Sequence, residues 1–125
     1  MTALSHREIA VSFLKLAASG KVREAYEKYV DQNFRHHNPF FRGDRESLML
    51  AMEENAAKNP NKKIEIKLVL EDRDLVATYS RVQQNPEDLG GAVAHIFRIK
   101  EDRIVEMWDI GQAVPKDSLN ENGMF

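Results

Sequence analysis

The sequence predicts an α+β fold in which three N-terminal helices pack on a curved antiparallel sheet. Three observations predict it. Apolar residues recur at helical spacing through the first half of the chain, the period changes to two from Lys63 onward, and the residues between segments are those that stop helices and turn hairpins. At 125 residues the chain matches one domain, 1–125, large enough to bury a core without metals or disulfides, with 114–125 as an irregular C-terminal tail.

Each element follows in order. Ser5 and Glu8 form a capping box, after which Ile9, Phe13, Leu16 and Ala17 share a face until Gly20 supplies a stop. Val22, Ala25, Tyr26 and Tyr29 lie on one face of a second short helix that ends before Asn33. Asp44 is placed to cap a third helix carrying Leu48, Met52 and Ala56 inward, and Asn59-Pro60 ends it. From Lys63 the inward series is Ile64, Ile66, Leu68 and Leu70. Turn residues at 71–74 and a loop at 85–91 then separate strands at 75–84, 93–100 and 104–110, a four-stranded meander. Helices on one face of a curved sheet leave a cavity. Ile104, Trp108 and Ile110 alternate with Val105, Met107 and Asp109 along the last strand, so the face away from the helices is also apolar and is expected to pair with a second copy as a homodimer.

Composition narrows the function. Eighteen basic and twenty acidic residues leave a formal charge of −2 with no basic stripe, which argues against nucleic acid. There is no cysteine, hence no disulfide, thiolate metal site or thiol nucleophile, as befits a cytoplasmic protein. His6, Arg7, Glu8 and Lys15 interrupt the first apolar stretch, so neither a signal segment nor a membrane partner is expected.

The candidate chemistry centres on His95 and Asp109. A two-residue turn at Glu101-Asp102 would pair His95 with Trp108 and put Asp109 on the opposite face; a three-residue loop, Lys100-Glu101-Asp102, with Asp102 left-handed, pairs His95 with Met107 and leaves Asp109 diagonal on the same face. The second register is the expected one. It groups Val93, His95, Phe97, Val105, Met107 and Asp109 as an apolar wall bearing one imidazole and one carboxylate, suited to proton transfer. The plainer alternative is a structural His–Asp hydrogen bond. His36 and His37 precede Asn38-Pro39 in a loop, and their opposed directions let at most one reach the cavity. Together with His95 and Asp109 they have the residue types of a two-histidine-one-carboxylate site but not the spacing, so no metal and no cofactor is expected. Serine-nucleophile and phosphate-loop motifs are absent.

The run from His95 to Asp109, the earlier His37-Asn38-Pro39 and the ending Asn120-Glu121-Asn122-Gly123-Met124-Phe125 resemble SnoaL-like, polyketide cyclase-like proteins of the nuclear-transport-factor-2-like superfamily over nearly the whole chain. The resemblance implies a cone-shaped fold and a cofactor-independent lyase, isomerase or cyclase of aldol type, with Asp109 as the acid/base and His95 beside it. It departs from the subgroup in carrying Tyr79 and Arg81 where histidines are common, and Asp102 where the last hairpin has glycine. On this reading His37 or Tyr79 donates to an enolate oxygen, Tyr26, Phe97 and Met107 complete the substrate-binding set, and the ligand is a small apolar or carbonyl-containing molecule. The alternative is a non-catalytic module that binds an apolar metabolite or dimerises.

Overall fold

The computed structural model describes residues 4–125. Its elements are α1 (His6–Ala18), α2 (Val22–Tyr29), β1 (Val30–His36), α3 (Arg45–Lys58), β2 (Lys63–Asp72), β3 (Leu75–Gln83), β4 (Gly91–Lys100) and β5 (Arg103–Ala113). The helices begin and end where local chemistry dictates. Ser5 accepts from the Glu8 N–H while the Glu8 carboxylate accepts from the Ser5 N–H, completing the capping box. At the other end Gly20, with φ +94°, lets its own N–H reach the Ala17 carbonyl and the Lys21 N–H reach that of Leu16, which satisfies two orphan acceptors. Asp44 caps α3 by accepting from the Ser47 N–H.

The sheet is mixed rather than wholly antiparallel, with the order β1-β5-β4-β3-β2. The fifth strand, β1, occupies residues that the sequence assigned to the end of α2 and a loop. Its polar residues Asp31, Gln32, Asn33 and Arg35 conceal it, and only Val30, Phe34 and His36 are buried. It runs parallel to β5, with Val30 opposite Ile104 and His36 opposite Met107. Gly91 opens β4 after Gly90, whose φ of +89° and position 2.6 Å from the Val82 carbonyl oxygen to where a Cβ would sit leave no room for another residue.

Two bulges reset side-chain parity. In β2 the ladder slips between Ile66 and Leu68, so Val69 rather than Leu68 or Leu70 packs on the core, and Leu68 and Leu70 face outward at 59% and 68% exposure. In β5 the slip falls between Arg98 and Ile99 on the partner strand, where Ile104 and Glu106 take successive pairings and Val105 is the extra residue. Ile104 is therefore fully buried instead of lying on the outer face, and Val105 joins Arg98 and Glu106 outside instead of lining the cavity. The core lies between the helices and the inner sheet face, around Phe13, Tyr26, Val76, Phe97 and Ile104. Edge-to-face contacts link Phe13 to Tyr26 and Phe97, with ring centroids 5.5 and 6.0 Å apart. Among the described residues no helix is long and apolar enough to cross a membrane.

On the outer face two apolar rows run across the ladders. One is Leu70, Ala77, Ile96 and Trp108, and the other Leu68, Tyr79, Ala94 and Ile110. The chain end lies on this face: Tyr79 Oη donates to the Met124 carbonyl at 2.6 Å, and the Phe125 ring sits 5.8 Å from that of Tyr79.

Candidate active site

A cavity of about 360 Å³ opens between α1, α3 and the inner sheet face, within the roughly 300–1,000 Å³ typical of small-molecule sites. Its walls are mainly apolar, supplied by Phe13, Leu14, Val22, Leu48 and Met52, with Phe41 also bordering it. Six polar side chains border it as well: Asn38, Asn55, Lys62, Gln84, His95 and Asp109.

The hairpin that positions His95 and Asp109 combines features of both registers considered from sequence. Its turn has two residues, Glu101 and Asp102, both left-handed at φ 51° and 62°, as a tight turn matched to strand twist requires. Alone this turn would set Asp109 outside. The extra residue at Val105 shifts the ladder by one, so His95 stands directly opposite Asp109, and Phe97 opposite Met107. The inner row continues through Thr78, which pairs with His95, to Val69, which pairs with Thr78.

No hydrogen bond joins His95 to Asp109. His95 Nδ1 is buried without a partner, and the ring stacks against Phe97 with centroids 5.7 Å apart. Thr78 Oγ1, next along the row, is also buried and unpartnered. Burial pushes the His95 imidazole down to about 4; the Asp109 carboxylate opposes this shift and the Lys62 ammonium reinforces it. The ring is thus neutral at ordinary pH.

The remaining sequence candidates divide between the core and the outer face. Met107 lines the cavity. Phe97 and Tyr26 lie beneath it, fully buried. Tyr26 Oη donates to Met52 Sδ at 3.1 Å, which ties the hydroxyl to a cavity-lining side chain, and burial raises its pKa, with Asp109 adding to the effect. His37 and Tyr79 must be corrected: both are on the far side of the sheet. At the end of β1 alternation sends His36 inward and His37 outward, where His37 Nε2 donates to Glu106 at 2.7 Å and the ring stacks on Trp108 at 4.9 Å. Tyr79 alternates with the buried Thr78 and Ser80 and so points outward to the chain end. His36 does not border the cavity either. Its Nε2–H donates to the Arg42 carbonyl and its Nδ1 accepts from the Asn38 N–H, so the residue that this loop brings to the cavity is Asn38.

Lys62 and Gln84 were not singled out from sequence, although alternation contained them: Lys62 precedes Ile64 and Ile66 on one parity, and Gln84 follows Ser80 and Val82. Among the described residues no three His, Asp or Glu side chains converge in a way that could hold a metal ion.

Comparison with known proteins agrees with this architecture. The family model for SnoaL-like polyketide cyclase matches residues 8–115. An NTF2-like protein of unknown function from Cytophaga hutchinsonii superposes with a TM-score of 0.72 at 17% identity, covering 89% of this chain and 93% of that one. Wild-type IdmH from Streptomyces antibioticus gives 0.69 at 19% identity over 86% and 92%. A SnoaL-like protein of unknown function from Burkholderia thailandensis gives 0.70 at 16% over 90% and 100%. No curated protein matches the chain. The likeness to these three solved structures, each under a fifth identical, carries the fold, and the matched model spans most of the sequence: the chain belongs to the SnoaL-like polyketide cyclase family.

Proposed function

We propose that the protein catalyses proton transfer next to a carbonyl, as a cofactor-independent cyclase, isomerase or dehydratase of aldol type, with Asp109 as the base and His95 sharing or relaying the proton. One observation carries this reading: an imidazole and a carboxylate meet as direct ladder partners at an apolar cavity, yet neither is bound to the other or to a third residue. A purely structural pair would be expected to hydrogen-bond, since a buried polar group left unmatched costs about 1–3 kcal/mol. The cavity is not filled by its own side chains, which weighs against a module that only dimerises. Deuterium exchange at the carbon next to the carbonyl, measured over a panel of small apolar ketones, tests the reading. Exchange by the wild type that is lost in Asp109→Asn supports it, and exchange unaffected by that substitution overturns it.

The outer face supports a further part of the proposal, that two copies pair through it. Leu68, Leu70, Ile96, Trp108 and Ile110 form a contiguous apolar surface there, and Ile110 is 71% exposed.

A further inference from the structure

We propose that Lys62 is the residue that holds the substrate's carbonyl oxygen while negative charge develops on it, so that the cavity selects an apolar molecule with one enolisable carbonyl placed toward the α3–β2 turn. This rests on Asp109 acting as the base. The sequence candidates for this task, His37 and Tyr79, lie on the far side of the sheet and leave the role open.

Lys62 has the geometry for it. It sits immediately before β2 and shares the cavity with Ile64. Its Nζ donates to Asn55 Oδ1 at 2.8 Å, the one hydrogen bond its side chain makes among the described residues, and no carboxylate of a described residue lies within ion-pair distance. Two of its three ammonium donors are therefore unassigned. Burial also holds the ammonium below the usual lysine range, a sign that the group is poorly hydrated where it stands. Lys62 and Asp109 both act electrostatically on His95, with opposite sign because their charges are opposite, so both lie within reach of the ring. Gln84 Oε1 is buried and unpartnered in the same cavity. The rest of the wall, from Phe13 through Leu48 to Met52, suits an apolar body.

The step balances. The Asp109 carboxylate takes the proton from the carbon beside the carbonyl, the C–H electron pair forms the new C=C bond, and the carbonyl π pair moves onto oxygen. Asp109 becomes neutral as the oxygen becomes negative, and the charge created at oxygen faces the Lys62 ammonium. A donor preorganised toward developing charge in a largely apolar cavity acts where electrostatic stabilisation counts most.

A phenolate mimics an enolate in charge and shape, so 4-nitrophenol is a direct probe. Wild-type protein is expected to bind it and to shift the bound probe toward the phenolate form, visible in its absorption band. Lys62→Met should weaken phenolate binding about tenfold or more and leave the bound probe as the neutral phenol. Lys63→Met, at a side chain that is 66% exposed, should change neither. Lys62→Gln, which keeps a donor to Asn55 but no charge, should behave like Lys62→Met, and thermal unfolding of both variants checks that the fold is kept. Wild-type protein that fails to bind the probe, or Lys62→Met and Lys62→Gln that bind the phenolate as well as the wild type, would overturn the assignment. The base reading fails separately: if Asp109→Asn keeps its exchange activity, Asp109 is not the base, whatever the probe shows at Lys62.

Discussion

His95 and Asp109 face each other across the β4–β5 ladder because Val105 is bulged out of it. The turn at Glu101-Asp102 alone would carry Asp109 to the outer face, where Trp108 and Ile110 already compete for an apolar environment. One extra residue thus determines whether the imidazole and the carboxylate share a cavity. Asp109→Asn keeps the shape of the side chain and removes its capacity to take a proton. Turnover should fall by about 10²–10⁴-fold, the usual contribution of a positioned base. Because the Asp109 carboxylate has no hydrogen bond to lose, the unfolding midpoint should stay level or rise, and calorimetry beside the exchange assay reads both outcomes. A fall in stability would instead mark Asp109 as a structural partner.

Acid stability should carry the signature of His95. Above its ordinary 6.5 the ring is neutral in the folded and the unfolded chain. As pH falls below that value the unfolded chain takes up a proton, whereas the folded ring, desolvated beside Lys62, resists until about 4. Stability is therefore fully present above 6.5, is lost progressively between 6.5 and about 4, and levels off below. The loss should be on the order of 1–2 kcal/mol, less than the full linkage value because the ring edges an open cavity. Denaturant titrations across this window should show the slope in the wild type and a shallower one in His95→Gln. Glu106, which the His37 hydrogen bond foremost holds below the ordinary 4.5, contributes in the same direction over a lower range: its stabilisation is present above 4.5 and lost below, outside most of this window.

The helices and the α+β layering were legible because their signals are local: a capping box, an aspartate N-cap, a left-handed glycine and an Asn-Pro stop act within a few residues. Parity along the strands was legible only between bulges. Lys67 and Val105 each shift the alternation by one, and nothing in their side chains announces it, so Leu70 and Ile104 exchange the faces that simple alternation gives them. His95 and Asp109 share a face through a two-residue turn plus a bulge rather than the three-residue loop expected, two routes with the same parity. β1 escaped notice because parallel pairing to β5 is specified some seventy residues away, not by its own composition. His37 and Tyr79 were misplaced for a related reason: each is suitable chemistry on the wrong parity.

Association should depend on the outer rows. Ile110→Glu places a charge at the β5 end of an outer row, at a side chain 71% exposed, while breaking no contact of the inner core. Light scattering at micromolar concentration should give about twice the 14.4 kDa chain mass for the wild type and a shift toward the monomer for the variant. Trp108→Glu should do the same, although it also removes the His37 stack and the Arg98 guanidinium lying 5.8 Å from the Trp108 ring. A wild type that remains monomeric would remove the role assigned to Leu68, Leu70 and Ile96.

The chain end should be protected rather than frayed, despite the Pro, Ser, Asn and Gly content of residues 114–125. Gly123, with φ +73°, turns the chain so that the Met124 carbonyl accepts from Tyr79 Oη, and Phe125 lands between Lys67 and Arg81, whose charges lie 5.9 and 5.8 Å from its ring centroid. Phe125 remains 44% exposed, so its burial contributes about 1 kcal/mol, and the hydrogen bond and cation–π contacts about as much again. That is enough to hold the last few residues but not the whole tail. The anchor also stands beside the apolar row of Leu68, Tyr79 and Ile110, so it should assist association as well as stability. Removing residues 122–125 is expected to lower stability by about 1–2 kcal/mol and to weaken the dimer, and Tyr79→Phe to reproduce a part of both. Hydrogen exchange on the intact chain reads the ordered end as well: the Gly123 amide, which donates to the Asn120 carbonyl, should exchange more slowly than those of 116–119. Equal exchange across the tail, with a truncation that alters neither stability nor association, would show that the contacts to Tyr79 and Arg81 do not persist in solution.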